Sequence, residues 1–210
     1  MDTHEFISRI HWLGHDGFRI SADQTVYIDP YEIEGGPTAD VILVTHPHFD
    51  HCSAADIAKV QGPDTIIVTE QEAAGQLTGD VRIVAPGDDL VIGDIRIRAL
   101  PAYNLDKDFH PQAKGWLGFN LELDGVRVYH AGDTDFIPEM EDIQTDIALL
   151  PVSGTYVMTA AEAVRAALAI DPQMAIPMHF GAIVGSASDA DQFSADLAGK
   201  VDVTILEKVP

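Results

Sequence analysis

Three imidazoles and one carboxylate lie within six residues of this chain, on His46, His48, Asp50 and His51. The apolar run of residues 41–44 directly precedes them, and a short β-branched run of this kind predicts a buried strand. His46 and His48 are two residues apart, so they face the same side of an extended chain. Because imidazole and carboxylate groups are the ligands of zinc and similar divalent ions, this stretch predicts a metal site.

The same pattern recurs at two later positions. A predicted strand over residues 126–129 leads into His130-Ala131-Gly132-Asp133, and a predicted strand over residues 174–177 is followed by His179. Each places a ligand-type side chain just beyond an apolar strand. We therefore expect Asp133 and His179 to join the site that begins at His46.

Several other polar residues allow two interpretations. His15 lies in a turn between the first two predicted strands and Asp29 ends the third, so each either orients a metal ligand or is an ordinary turn residue. His130 either hydrogen-bonds within the site or is a core histidine. Cys52 is either a thiolate ligand or, as we favour, a small side chain packed beside the metal loop.

The surrounding elements are mostly strands. Residues 6–13, 17–21 and 25–29 predict an antiparallel meander, and residues 203–206 predict a closing strand. Helices are predicted from Ser53 to about residue 60, from Thr159 to about residue 170, and over residues 188–198. A polar loop over residues 105–115 contains His110, and loops of this length in a compact domain are often functional. No segment is rich enough in Pro, Gly or Ser to be a linker, so one domain is expected over residues 1–210.

Composition excludes several classes of function. The chain has 210 residues with a formal net charge of -22, which repels nucleic acid phosphates. Residues 1–9 lack the pattern of a signal peptide, and no apolar run approaches the length of about 20 residues that spans a bilayer. We therefore expect a cytoplasmic protein with no membrane and no nucleic acid partner. A homo-oligomer is left open. No Gly-x-Ser-x-Gly elbow or Gly-rich phosphate loop is present.

The chain resembles the metallo-β-lactamase fold hydrolases. The resemblance rests on His46-x-His48-x-Asp50-His51, on Gly132-Asp133 after a strand, and on His179 after a later strand. The stretches Trp-Leu-Gly-His at residues 12–15, Tyr-His-Ala-Gly-Asp-Thr at 129–134 and Ile-Pro-Met-His at 176–179 are similar to the group that includes the L-ascorbate-6-phosphate lactonases. This resemblance implies an α+β fold, an αββα four-layer sandwich of two mixed β-sheets with helices on the outside.

The resemblance also implies a binuclear site. His46 and His48 would bind the first metal, Asp50, His51 and His179 the second, and Asp133 would bridge both. Many relatives have a histidine where this chain has Asn104. We favour His110 as the replacement; the alternatives are a weak Asn104 oxygen ligand or an incomplete first site. The expected cofactor is zinc, two ions per chain, with manganese or iron as alternatives.

The leading functional hypothesis is a hydrolase that uses a metal-bound hydroxide, oriented by Asp50, to cleave an ester, lactone or phosphodiester of a small polar substrate. One alternative is a non-catalytic metal- or ligand-binding member of the fold, which the Asn104 substitution favours. A less favoured alternative is an RNA-processing nuclease, against which the negative charge argues. A di-iron redox protein would need a flavin partner domain that these 210 residues do not contain.

Overall fold

The computed structural model describes residues 2–209, so Met1 and Pro210, the two ends of the expected 1–210 domain, lie outside the described residues. Thirteen strands form two mixed sheets in this part of the chain. The first sheet contains, in spatial order, β1 (Ile10–Gly14), β2 (Gly17–Ser21), β3 (Thr25–Ile28), β4 (Ala39–Leu43), β5 (Gln61–Thr69) and β6 (Asp80–Ile83). The second contains β7 (Asp89–Ile92), β8 (Ile95–Pro101), β9 (Leu117–Leu123), β10 (Val126–His130), β11 (Ile147–Pro151), β12 (Met174–Met178) and β13 (Asp202–Val203), also in spatial order.

Each sheet has an antiparallel part and a parallel part. In the first sheet β1, β2 and β3 pair antiparallel, whereas β3 to β6 pair parallel. In the second sheet β7 to β10 pair antiparallel and β10 to β13 parallel. Parallel neighbours bring their carboxyl ends to the same edge of a sheet, so the residues that follow β4, β10 and β12 emerge at strand ends suited to a shared site.

Residues 2–209 also form five short α-helices and three 3₁₀ turns, which precede or connect the strands. The helices are α1 (Thr3–Phe6), α2 (Ala54–Val60), α3 (Gln71–Ala74), α4 (Ala160–Ile170) and α5 (Ala187–Leu197). The 3₁₀ turns are Ile7–Arg9, Gln112–Lys114 and Pro138–Asp142. Thr159 caps α4 at the predicted helix start, with a capping box in which its hydroxyl accepts from the Glu162 amide. No helix within residues 2–209 is long and apolar enough to cross a membrane.

Two apolar clusters hold the layers together. The larger one fills the space between the sheets with residues such as Phe18, Phe119 and Val128, and it extends to the inner faces of α4 and α5. The smaller one packs Ile57 of α2 against Ile42 and other residues on the outer face of the first sheet. The predicted α+β, αββα sandwich is therefore confirmed.

The sequence prediction is wrong at both ends of the chain. Residues 6–9 were predicted as strand, but Asp2 accepts a hydrogen bond from the His4 amide and caps α1, so helical turns precede β1. The closing strand predicted over residues 203–206 is only Asp202–Val203, because its pairing with β12 ends after two residues.

Candidate metal centre

The ligand candidates leave the strands through sharp turns. His46 follows β4, Asp133 follows β10 and His179 directly follows β12. His179, His15 and Asp29 have positive φ angles of 60°, 50° and 43°, a conformation that L-residues rarely adopt. Such strained positions concentrate at functional sites because the surrounding structure must hold them. Here they aim polar side chains of several strand ends at one buried region.

The first group of candidates is formed by His46, His48 and His110, which we call the first cluster. Each offers a nitrogen, and the three nitrogens lie within 4.8 Å of one another. The ring centroid of His110 is 5.2 Å from the centroids of both His46 and His48. The structure therefore brings His110 from the long loop to the two histidines of the motif.

Asn104 orients His110. The Asn104 side-chain oxygen accepts from the His110 backbone amide at 3.1 Å and lies 3.0 Å from His110 Nδ1, while its amide nitrogen donates to the Tyr156 carbonyl at 2.8 Å. With Nδ1 occupied on this side, His110 presents Nε2 to the site, 3.2 Å from Asp133 Oδ2. Asn104 thus holds a ligand candidate in place instead of itself facing the cluster.

Asp135 fixes the same loop. This buried carboxylate accepts from the Leu105 amide at 2.8 Å and from the Asn104 side chain at 3.1 Å, and it pairs with Lys107. The loop that delivers His110 is therefore anchored by charged and polar contacts on the side away from the metal ligands.

The second cluster contains His51, Asp133 and His179, which each offer an atom within 4.8 Å of the others, together with Asp50, whose Oδ2 is 3.9 Å from His51 Nε2. Asp133 Oδ1 lies 3.5 Å from Nε2 of both His51 and His179. Its other oxygen, Oδ2, lies 4.0 Å from His46 Nε2 and close to His110. One oxygen of Asp133 thus faces each cluster, which is the geometry that a bridging carboxylate needs.

His15 and Asp29 contact the second cluster from behind. His15 Nε2 is 3.1 Å from Asp50 Oδ2, and the His15 and His179 ring centroids are 4.2 Å apart. Asp29 Oδ2 is 2.8 Å from His51 Nδ1, and because a carboxylate only accepts, the imidazole must donate there. This hydrogen bond leaves His51 Nε2 free to bind, as outer carboxylates do at histidine metal sites.

The electrostatics of the two clusters differ before any ion binds. Burial holds the pKa of His46 well below the ordinary value, and burial together with His110 lowers the pKa of His48. Burial opposes the charge of His51 too, but the carboxylates of Asp133 and Asp29 outweigh it and raise its pKa well above the ordinary value. A metal must therefore displace a proton from His51 but finds neutral imidazoles at His46 and His48.

The carboxylates show the complementary pattern. Burial alone would raise the pKa of Asp133, yet His179, His51 and His110 hold it well below the ordinary value. The pKa of Asp50 is also lowered, because the hydrogen bond from His15 and the charge of His51 outweigh its partial burial. Both groups are ionised at neutral pH, which is the form that binds a cation.

The donor atoms fit a pair of divalent ions. His51 Nε2, His110 Nε2 and Asp133 Oδ1 are buried and have no hydrogen-bond partner among residues 2–209. Buried polar atoms are normally partnered, and these three lie where the two clusters meet. Imidazole nitrogens with a shared carboxylate are a donor set of zinc and related metals.

Comparison with known proteins identifies the family. The model of the β-lactamase superfamily domain matches residues 9–179 of this chain. A UPF0173 metal-dependent hydrolase of Thermococcus onnurineus is 32% identical over 95% of this chain and 96% of its own length. This chain belongs to the metal-dependent hydrolases of the metallo-β-lactamase superfamily. The predicted family resemblance is thereby confirmed.

Solved structures agree with this membership of the metallo-β-lactamase superfamily. A metal-dependent hydrolase structure from Parabacteroides distasonis has a TM-score of 0.85 and 31% identity, covering 96% of this chain and 93% of the other. Igni18, a metallo hydrolase from Ignicoccus hospitalis, has a TM-score of 0.78 over 96% of this chain and 95% of its own, and at 24% identity it supports the fold alone.

Other residues near the centre of this superfamily member have structural roles. His130 is fully buried and its Nε2 is 2.9 Å from the Asp16 carbonyl, so it links β10 to the β1–β2 turn. Cys52 is buried in the smaller apolar cluster, with Sγ 3.9 Å from the Ala73 carbonyl. Burial raises the pKa of the Cys52 thiol to about 12, which disfavours the thiolate that a metal ligand requires.

The sequence analysis missed Asp16 and Thr45. Thr45 Oγ1 donates to Asp29 at 2.5 Å and lies 3.0 Å from His46 Nδ1, so it joins both clusters from the base of the metal loop. Asp16 is a fully buried carboxylate in the β1–β2 turn. The only sequence signal for Asp16 was its place beside His15, and a turn aspartate is usually exposed.

Proposed function

We propose that this protein is a binuclear zinc hydrolase that cleaves an ester or a lactone in a small molecule. Membership of the superfamily supports metal-dependent hydrolysis. The observation that carries the binuclear proposal is Asp133, whose two oxygens face different clusters. His46, His48 and His110 would hold the first ion; Asp50, His51 and His179 would hold the second.

The chain's own residues have separate tasks in this reaction. When bound, two divalent ions supply a water-derived nucleophile at neutral pH and polarise the electrophilic oxygen of the substrate. Asp50 reaches the mouth of the site, with 14% of its side chain exposed, and its Oδ2 is held by His15. As an ionised carboxylate it can accept a hydrogen bond from the attacking water and orient it.

The loops that carry the clusters expose apolar side chains. Four large apolar side chains are exposed on the loops that carry the clusters, at fractions of 67%, 61%, 52% and 42% for Phe49, Leu105, Phe109 and Ile183. Phe49 lies between His48 and Asp50, while Phe109 precedes His110. We therefore propose a substrate with an apolar portion next to the scissile bond, since these side chains would cover it.

Aromatic contacts support this rim. Phe109 packs edge-to-face on Tyr156 with centroids 4.4 Å apart, and Phe49 does the same on Tyr31 at 5.8 Å. Such pairs fix the orientation of exposed rings. The net charge of -22 argues against polyanionic substrates, so the proposal ranks ester and lactone above phosphodiester and excludes structured RNA.

The test is a hydrolysis panel on metal-depleted protein reloaded with Zn²⁺ or Mn²⁺. The panel would contain p-nitrophenyl esters from acetate to octanoate, a γ-lactone series and bis-p-nitrophenyl phosphate. We expect kcat/KM to rise with acyl length and to be lowest for the phosphodiester. Phe109→Ser should lower kcat/KM for the octanoate ester by about 10-fold relative to the acetate ester. This is the scale of discrimination that an apolar pocket gains from contact with methylene groups of the substrate.

Two histidine variants make the test specific to the centre. His46→Ala should lower turnover by more than about 100-fold. Losing a residue that only orients a metal ligand costs up to about 100-fold, and loss of a direct ligand should cost more. The matched control is His4→Ala, because the His4 side chain is 64% exposed and remote from the clusters. Reloaded protein that binds two ions yet turns over no ester or lactone would reject the proposal and favour the non-catalytic alternative.

A further inference from the structure

The side chain of Asp16 is buried and, among residues 2–209, its carboxylate has no hydrogen-bond partner. It lies in the turn between β1 and β2, where its carbonyl is held by His130, and its side chain is 0% exposed. Neither carboxylate oxygen has a hydrogen-bond partner among residues 2–209. An ionised carboxylate buried without donors or a cation costs several kcal/mol, so Asp16 is either protonated or faces a cation.

The surroundings of Asp16 identify where such a cation would lie. Asp16 Oδ2 is 3.9 Å from His51 Nδ1, and no lysine or arginine of residues 2–209 forms an ion pair with it. One donor atom each from Asp16, His51, Asp133 and His179 lie within 4.8 Å of one another. His51 Nδ1 is already engaged by Asp29, so His51 does not serve Asp16 as a full hydrogen-bond donor.

The 4.8 Å limit is close to the separation of ligands around a single ion. With metal–oxygen and metal–nitrogen bonds of about 2.0–2.2 Å, two ligands of one ion are separated by no more than about twice that length. Asp133 Oδ1 and His51 Nε2 in the same group are also buried and without partners in the described chain. Asp16, His51 and Asp133 thus each bring an unpartnered polar atom to the same buried group of ligand candidates.

We propose that Asp16 is an additional oxygen ligand of the second metal position and that it biases this position toward a harder ion. The inference rests on the binuclear centre of the proposed function. The first position has three imidazoles and one oxygen of Asp133, a set that suits Zn²⁺. The second has His51 and His179 with oxygens from Asp50, Asp133 and Asp16, and oxygen ligands favour Mn²⁺ relative to Zn²⁺.

The test measures metal binding rather than turnover. Metal-depleted wild type, Asp16→Asn and Asp16→Ala would be titrated with Mn²⁺ and, separately, with Zn²⁺. Free Mn²⁺ is followed by its electron paramagnetic resonance signal and bound metal by mass spectrometry after gel filtration. We expect two ions per wild-type chain. Both variants should keep the first ion and bind the second Mn²⁺ at least about 10-fold more weakly, with a smaller loss for Zn²⁺.

Asp56→Asn is the matched control, because Asp56 is a buried aspartate that accepts from the Glu32 amide at 3.0 Å and lies outside both clusters. It should bind both ions as the wild type does. Asp16→Asn keeps the side-chain volume, and its near-ultraviolet circular dichroism shows whether it is folded, so a folding failure of Asp16→Ala does not decide the result.

Three outcomes would overturn the inference: Asp16→Asn that folds and binds both ions as tightly as wild type, an equal loss for Mn²⁺ and Zn²⁺, or a wild type that binds one ion only. Failure of the proposed function looks different. A protein with Asp16-dependent Mn²⁺ binding but no hydrolysis would keep this inference and reject the hydrolase, whereas hydrolysis with unchanged metal binding in Asp16→Asn would do the reverse.

Discussion

Replacing Asp29 by asparagine should weaken metal binding without removing any metal ligand. Asp29 is fully buried at the end of β3 and accepts three hydrogen bonds. Oδ1 accepts from the Thr45 amide at 2.8 Å, while Oδ2 accepts from Thr45 Oγ1 at 2.5 Å and from His51 Nδ1 at 2.8 Å. The positive φ of 43° at this position is one that asparagine also tolerates, so the backbone need not change.

The magnitude follows from the lost acceptor. If the asparagine oxygen faces the Thr45 amide, its NH₂ group opposes the donors of Thr45 Oγ1 and His51; if the amide flips, the NH₂ group opposes the Thr45 amide. Either way a buried donor loses its partner, which costs about 1–3 kcal/mol of stability. Losing the carboxylate behind a ligating histidine typically weakens metal affinity about 10- to 100-fold, or about 1.4–2.8 kcal/mol.

Competition with a chromophoric chelator at pH 7 measures the affinity, and urea unfolding measures the stability. The control is Asp56→Asn, which also replaces a buried carboxylate. Asp56 accepts hydrogen bonds from the backbone amides of Glu32 and Ile33 and from the hydroxyl of Ser53, the N-cap of α2. It should lose stability but keep metal affinity. Folded Asp29→Asn with the wild-type affinity, or an equal loss of affinity in Asp56→Asn, would refute the assignment of Asp29 as the group that orients His51.

Two further predictions concern stability. Gly132→Ala should lower the free energy of unfolding, measured in urea, by about 2–4 kcal/mol. The φ angle of Gly132 is +65°, and a Cβ there would lie 2.5 Å from the Leu117 carbonyl oxygen. A loss below about 0.5 kcal/mol would contradict this prediction. The pKa of Asp146 is lowered because hydrogen bonds from Arg127 outweigh its burial, so its contribution is present above the ordinary value of 3.8 and lost as the pH falls through the folded pKa. The stability gap of about 1 kcal/mol between wild type and Asp146→Asn should therefore be constant at pH 6–8 and shrink below about pH 4.

The strand ends were predictable from the sequence because local signals coincide there. Each of β4, β10 and β12 is an apolar run that must be buried, and each is followed by a residue with ligand chemistry, so Asp133 and His179 could be associated with His46 before any coordinates. The strand prediction for residues 6–9 was wrong because Asp2 caps a helical turn just before them. In a segment this short, a helix cap stabilises helical turns more than a weak apolar alternation stabilises a strand.

Asp16 could not be predicted because its burial depends on contacts made far along the chain. A turn aspartate beside a glycine is usually solvated. Here His130, more than a hundred residues later, binds the Asp16 carbonyl, and His51 and Asp133 enclose its side chain. The same reason leaves the roles of His15 and Asp29 undecided at the level of sequence, since each depends on a partner that another strand supplies.

The two clusters of ligand candidates depend on different parts of the fold. His179 directly follows β12 and His51 lies in the short turn between β4 and α2, and both are fully or almost fully buried, so their placement is fixed by the packed part of the fold. His110 instead belongs to the loop between β8 and β9, and it reaches the first cluster through Asn104 and Asp135. A ligand on a loop is positioned only while the loop is ordered, so binding of the first ion and ordering of this loop must stabilise each other. His110 thus makes the first cluster the part of the centre that depends on a loop, and the exposed Phe109 directly precedes it.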